Sequence, residues 1–153
     1  LSKIRTLHHV MTTAGVSPVR IGVVALNVHS GEGGMFGREE IDIIGPAIQQ
    51  AKAEGFDAHG PVPPDSAFPL ALRGDYRGLV CMYHDQANIG RKIIGRDHPG
   101  VSLFLGMPVP VVTTPHGTAY DIAWKGVGKH AMIVRAITMA AALAQGSVHA
   151  TGR

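Results

Sequence analysis

The fold class of this chain is decided by one stretch, Val23-Val24-Ala25-Leu26-Asn27-Val28-His29 running into Ser30-Gly31-Glu32-Gly33-Gly34. A continuous apolar run without polar alternation is typical of a strand buried on both faces of a parallel sheet. The glycines that follow predict a turn. Two further apolar runs end in the same way, with His84 before Asp85-Gln86 and His116 before Gly117. Ligands bind at the carboxyl ends of parallel strands, so these three histidine turns are candidates for one shared metal or cofactor site.

Helical patterns alternate with these strands along the whole chain. The spacing of apolar residues, and the glycines and prolines that end helices and strands, predict strands over 20–27, 57–60, 78–83, 101–105 and 110–114. They predict helices over 2–14, 38–54, 85–94, 118–125 and 129–145. Such alternation indicates an α/β fold, with a largely parallel sheet flanked by helices. We expect a single domain over residues 1–145 and a flexible tail over 146–153. The chain starts without Met and inside a helical pattern, so we expect it to be part of a longer protein.

Composition narrows the class of protein. The 153 residues carry a net charge of +3, and the basic residues are scattered rather than grouped, which argues against a nucleic-acid partner. No apolar stretch reaches the roughly 18 residues of a membrane span, and no signal peptide opens the chain. The single cysteine, Cys81, lies within an apolar run and fits a buried thiol in a reducing compartment. We therefore expect a cytoplasmic protein.

Two of the histidine turns are candidates for binding a metal. The glycines after His29 expose backbone N–H groups and let a ligand approach, although the turn lacks the phosphate-loop ending. His84, Asp85 and Gln86 can bind a divalent cation or orient a ligand, and Lys92 can reach an anionic substrate group. Structural interpretations stay open for each: a hydrogen-bonding histidine, an N-cap, a solvated first-turn residue and a surface charge.

The third turn carries the most specific pattern, Pro115-His116-Gly117-Thr118-Ala119-Tyr120-Asp121-Ile122-Ala123-Trp124-Lys125-Gly126. It resembles the adenosine-contacting loop of the isocitrate and isopropylmalate dehydrogenase superfamily. Together with the His29 and His84 turns, in this order, it resembles the C-terminal part of the 4-hydroxythreonine-4-phosphate dehydrogenase family of pyridoxal phosphate biosynthesis. The resemblance runs from about residue 2 to residue 145, which implies that an N-terminal portion is missing from this chain.

The resemblance implies a metal-dependent reaction. A divalent metal (zinc, cobalt, magnesium or manganese) would be held by three histidines across a homodimer interface. Two of them fall on His29 and His84, and the third belongs to a segment N-terminal to this chain. His84, Asp85 and Lys92 would carry the catalytic chemistry, with Lys92 also binding the substrate.

The resemblance also implies NAD or NADP as the cofactor. His116, Gly117, Thr118, Ala119 and Asp121 would line its site. The reaction implied is oxidation, with decarboxylation, of a small hydroxy acid, 4-hydroxythreonine 4-phosphate. We expect this chain alone to be inactive.

Two positions depart from the family. Ser102, which the resemblance implies as a substrate-binding residue, stands where the family has an Asn, and Val111 stands where it has a substrate-binding Arg. Losing that guanidinium weakens the case for a phosphorylated substrate, although Arg91 and Arg96 are nearby cations. The alternatives are a family member that oxidises a cis-dihydrodiol dicarboxylate, such as that from terephthalate, and an inactive fragment with partial metal and dinucleotide sites. A metal-dependent lyase or hydrolase without nicotinamide is a further alternative.

Overall fold

The structure, a computed structural model, describes residues 1–95 and 100–150, with side chains described as far as residue 145. Its helices and strands are α1 (Ser2–Thr13), β1 (Arg20–Val24), α2 (Gly45–Ala53), β2 (Asp57–Val62), α3 (Pro64–Arg73), β3 (Gly78–Val80), α4 (His84–Ile94), β4 (Ser102–Phe104), β5 (Val111–Thr113) and α5 (Ala131–Ala150). The contacts divide the chain into two compact units, Leu1–Gly90 and Arg91–Arg153.

The first unit is built on a three-stranded parallel sheet of order β2-β1-β3. Ile21 of the central strand pairs with Ala58 on one side and with Gly78 on the other. Strand β1 is buried from its second residue to its last. This confirms the α/β class, and it confirms that the unbroken apolar run forms a buried strand of a parallel sheet.

Side chains of β1 alternate between two cores. Ile21 and Val23 belong to a cluster that also contains Ile4 of α1 and Ile48 of α2. Val24 packs on the other side, in a cluster with members from β2 and α3. Helices therefore cover both faces of the sheet, and the carboxyl ends of its strands are left to the loops.

The predicted helix over 38–54 is divided in the structure. A π-helical turn, Glu40–Ile44, precedes α2. Pro46 has no N–H with which to continue an α-helical ladder, and the Gly45 amide bonds instead to the Glu40 carbonyl, five residues back. A π-turn of this kind often marks a functional site, and here it turns Glu40 inward.

The second unit contains one short antiparallel pair, in which Ser102 lies opposite Thr113. Helix α5 packs against β5 and runs to Ala150, so the tail predicted from residue 146 is helical over its first five residues. Residues 151–153 of that tail lie outside the described residues.

The predicted helix over 118–125 is wrong. Only a single 3-10 turn forms there, Tyr120–Ile122, because Ala119 and Trp124 take left-handed backbone angles, with φ of 51° and 63°. Trp124 is fully exposed, so no core contact holds a longer helix in place.

No helix in the described part of the chain is both long and apolar enough to cross a membrane.

Candidate functional site

The loop after β1, Val28–Gly34, carries His29 on a strained backbone. All five residues from His29 to Gly33 have positive φ angles, between 42° and 79°. Three of them, His29, Ser30 and Glu32, are not glycine. Each such residue costs roughly 1–2 kcal/mol in a left-handed conformation, so contacts outside the loop must hold it.

Glu40 supplies that support from inside the protein. Its side chain is buried, with 5% of its surface exposed. One carboxylate oxygen accepts hydrogen bonds from the Leu26 and Asn27 amides at 2.7 and 2.8 Å, and the other accepts one from the Asn27 side-chain amide at 2.9 Å. Burial raises the pKa of the Glu40 carboxyl, but the hydrogen bonds from Asn27 and the backbone lower it by more, so its pKa lies below the usual value. The anion therefore fixes the backbone that enters the His29 loop.

Two glycines let this arrangement close. A Cβ on Gly31 would lie 2.8 Å from the Glu40 carboxylate and 2.8 Å from the Gly37 carbonyl. A Cβ on Gly37 would collide with the Asn27 side chain. The predicted close approach at the glycine-rich turn is therefore made by the protein's own carboxylate.

Gln86 connects the two turns that carry His29 and His84. Its side-chain oxygen accepts hydrogen bonds from the Met82 and Tyr83 amides at 2.9 and 3.2 Å. Its amide nitrogen donates to the Ala25 carbonyl at 2.9 Å. One side chain thus holds the end of β1 and the start of α4 together.

The rings of His29 and His84 share one arrangement. The Nδ1 atom of His29 lies 3.4 Å from the Glu32 carboxylate, and that of His84 lies 3.1 Å from the Asp85 carboxylate. An imidazole that donates from Nδ1 presents its Nε2 lone pair to a metal, and such carboxylate partners commonly orient metal-binding histidines. Both side chains are largely exposed, at 72% and 83%, and so are accessible to a ligand.

Two histidines do not complete a metal site. Over residues 1–95 and 100–150, no group of three or more His, Cys, Asp or Glu side chains is placed to hold a metal ion. The hydroxyl of Ser30, next to His29, is buried and has no hydrogen-bond partner within the described residues. His29 and His84 therefore have the chemistry of metal ligands, and a complete site would need at least one further ligand.

His116 lies in the second unit, beside a cleft of about 560 Å³. Its Nδ1 atom lies 2.8 Å from the Gly117 carbonyl. Most of the lining is apolar, and its described residues are Gly95, His116, Ala119, Ile122, Val127, Gly128, Lys129, Ala131 and Met132. A cleft of this size and polarity is suited to a flat organic ligand.

A smaller cleft, of about 220 Å³, shares part of this lining. Gly95, His116 and Met132 border both clefts, so the two adjoin. Arg91 and Lys92 line the smaller one. An apolar cleft and a basic one therefore meet at His116.

The other predicted site residues are placed less directly. Of the predicted cofactor residues, His116 and Ala119 line the larger cleft, whereas Gly117, Thr118 and Asp121 are not among the described residues of either lining. Ser102 starts β4, half-buried, and is likewise in neither described lining. Arg96 lies outside the described residues.

Sequence reasoning missed the role of Glu40. In the sequence it is an acid in the first turn of a predicted helix, where the helix dipole favours it, and no local signal indicates burial. For Gln86 the solvated alternative is wrong, because its amide is half-buried and hydrogen-bonded at both its oxygen and its nitrogen. A signal was available for Gln86 in its position at the strand end.

Comparison with known proteins gives one family. The family model described as pyridoxal phosphate biosynthetic protein PdxA matches residues 1–140. A 4-hydroxythreonine-4-phosphate dehydrogenase from Desulforapulum autotrophicum is 46% identical over 130 residues, which are 85% of this chain and 38% of that protein. A D-threonate 4-phosphate dehydrogenase from Pectobacterium atrosepticum is 42% identical over 130 residues, 85% of this chain and 40% of that protein.

A solved structure agrees with these sequences. The crystal structure of 4-hydroxythreonine-4-phosphate dehydrogenase from Klebsiella pneumoniae matches with a TM-score of 0.78 and 39% identity, over 93% of this chain and 43% of that chain. This chain therefore spans about two fifths of the length of the relatives it matches.

Proposed function

The chain belongs to the family of the pyridoxal phosphate biosynthetic protein PdxA, and on that premise we propose that it is part of a metal- and NAD(P)-dependent dehydrogenase. The substrate would be a small phosphorylated hydroxy acid, with 4-hydroxythreonine 4-phosphate the first choice. Relatives with dehydrogenase names support the oxidoreductase class.

One observation carries the metal proposal. His29 and His84 each set Nδ1 against a carboxylate of their own turn, and Gln86 connects the two turns. We propose that both Nε2 atoms bind a divalent cation, with the remaining ligand supplied by residues beyond this chain or by a second subunit. Zinc, cobalt, magnesium and manganese are the candidates.

The groups that bind here would supply the redox chemistry, the cation by lowering the pKa of the substrate alcohol and NAD(P)+ by accepting the hydride. The protein's own residues would position the bound groups and neutralise the charge of the substrate. Asp85 would hold the His84 ring in its metal-binding tautomer or relay a proton. Lys92 would neutralise negative charge on the substrate, and His116 and Ala119 would border the dinucleotide.

A homodimer is part of the proposal. Helix α5 is apolar nearly all round, yet its residues Ile133, Val134 and Ile137 are exposed by 48%, 53% and 63%. Exposed apolar faces of this kind mark interaction surfaces. We propose that a second copy covers the face of α5 that carries these three residues, and that the protein acts in the cytoplasm.

The metal proposal is tested by isothermal titration of the natural gene product that contains this chain. Loss of a partner that merely orients a ligand lowers metal affinity about 10–100-fold. We therefore expect a fall of about 100-fold or more for His84→Ala and about 10–100-fold for Asp85→Asn. His9→Ala, on the exposed face of α1, is the matched control and should leave affinity unchanged. Equal affinities for all three variants would place the metal elsewhere.

The substrate is tested by turnover of the same protein with two compounds. Ser102 and Val111 depart from the family pattern, and they favour testing a cis-dihydrodiol dicarboxylate beside 4-hydroxythreonine 4-phosphate. Faster turnover of the dihydrodiol would replace the proposed substrate and leave the dehydrogenase assignment in place. If neither NAD+ nor NADP+ binds saturably, the dehydrogenase assignment is refuted.

A further inference from the structure

The smaller cleft of the second unit collects positive charge. Arg91 and Lys92, consecutive residues of α4, line it with His116. Both residues belong to the last turn of the helix, so the cleft lies beside that turn. The proposed function uses Lys92 and leaves Arg91 without a role.

The head group of Arg91 is directed to one side of this cleft. Its guanidinium Nη2 donates a hydrogen bond to the Pro115 carbonyl at 3.4 Å, and Pro115 itself lines the cleft, directly before His116. Arg91 is half-buried. The planar guanidinium is therefore held next to the His116 loop, where it can bind an anion in a fixed orientation.

The type of anion follows from the geometry around it. The small cleft has a volume of about 220 Å³, which is enough for a tetrahedral anion, and its lining includes an arginine and a lysine, whose charged groups match a phosphate. It shares Gly95, His116 and Met132 with the larger apolar cleft. A ligand can thus set an apolar part in the larger cleft and a phosphate in the smaller.

We propose that Arg91 is a phosphate-binding residue, which forms with Lys92 a site for a phosphate monoester. The carrier is either the hydroxy-acid substrate or the 2′-phosphate of NADP, and for that identity the inference rests on the proposed function. Phosphate binding itself stands on the cleft alone.

The experiment measures binding to the natural gene product by isothermal titration with inorganic phosphate, NAD+ and NADP+, and KM for the phosphorylated hydroxy acid. The variants are Arg91→Gln and Arg91→Lys, with Arg135→Gln as the control, since Arg135 is exposed on α5 in the same unit. A charge-assisted hydrogen bond changes affinity by roughly ten- to a hundredfold. We expect that loss of phosphate affinity for Arg91→Gln, a smaller loss for Arg91→Lys and none for Arg135→Gln.

The other ligands identify the carrier. Weaker binding of NADP+ but not of NAD+ assigns the site to the 2′-phosphate, and a raised KM for the hydroxy acid alone assigns it to the substrate. Phosphate affinity that is the same in Arg91→Gln and Arg135→Gln overturns the inference. Phosphate binding that depends on Arg91 in a protein without dehydrogenase turnover would refute the proposed function and leave the phosphate site standing.

Discussion

Replacing Glu40 tests whether one buried anion holds the His29 loop in place. The carboxylate accepts three hydrogen bonds, two from the Leu26 and Asn27 amides and one from the Asn27 side chain. Glu40→Gln keeps the shape and can still accept from both amides, but its NH2 group then faces the Asn27 NH2 group. One bond to a charged acceptor is lost and the other two become neutral. At about 1.5–3 kcal/mol for a charged bond and about 1 for a neutral one, the expected loss of unfolding free energy is about 2.5–7 kcal/mol.

Glu40→Ala should cost more. It leaves three donors without their acceptor in a buried position, and each such group costs roughly 1–3 kcal/mol. Asp42→Asn is the matched control, because Asp42 is an exposed carboxylate in an i,i+4 pair with Arg38 and such pairs contribute about 0.3–0.5 kcal/mol.

The assay is urea unfolding of the natural gene product at pH 7, followed by circular dichroism. It is repeated at lower pH, because the Glu40 pKa is below its usual value. Stability from such a group is present above the unfolded-state pKa and is lost as pH falls through the folded-state pKa. Glu40→Gln should therefore flatten the acid side of the stability curve. The reasoning is refuted if Glu40→Gln unfolds within about 0.5 kcal/mol of the Asp42→Asn control, the range of ordinary surface substitutions.

Three further predictions concern the same unit. Gln86→Ala should lower the unfolding free energy by about 1–3 kcal/mol. The control Gln49→Ala, on an exposed face of α2, should lower it by less than about 0.5 kcal/mol. Equal losses in urea unfolding would show that the Gln86 hydrogen bonds contribute nothing to stability. In Gly31→Ala the new methyl group meets a left-handed backbone and two oxygens at 2.8 Å, whereas in Gly33→Ala it meets open space. The thermal midpoint of Gly31→Ala should therefore fall several degrees further than that of Gly33→Ala. Equal midpoints would contradict the close packing. A hydrogen bond from Arg20 holds the pKa of the Asp57 carboxyl below its usual value. Asp57→Asn should therefore be less stable than the parent protein near neutral pH and equally stable once the carboxyl is protonated. A stability difference that is the same at pH 7 and pH 2 would show that Asp57 does not contribute to acid unfolding.

The central part of the fold was predictable because its signal is redundant. The apolar run of β1 must be covered on both faces, and the helical stripe of α1 supplies one cover through Ile4. Helix α3 has no clear signal in the sequence, because the prolines at 61, 63 and 64 indicate a turn there. Pro64 in fact occupies the first helical turn, where a missing N–H costs nothing. Local breaker rules could not show that packing of this segment on the sheet would extend the helix.

The candidate site was predictable in its positions more than in its support. His29, His84 and His116 follow strands or strand-like runs, and the structure places each of them in a loop or at a helix start, as the strand-end argument requires. The role of Glu40 was not predicted, because it depends on a π-turn that only Pro46 indicates in the sequence. The short 3-10 turn after His116 was missed because left-handed Ala119 has no signature in the sequence.

The Gln86 bridge has a consequence for how quickly a metal could be captured. Its amide joins residues 61 positions apart in the sequence, so the loop between them is already closed before any ligand arrives. A flexible pair of turns would have to give up conformational freedom at the moment of binding, which slows capture and reduces affinity. In this protein the Gln86 bond orders the backbone beside the two turns during folding, so binding of the proposed cation should carry a smaller entropic penalty.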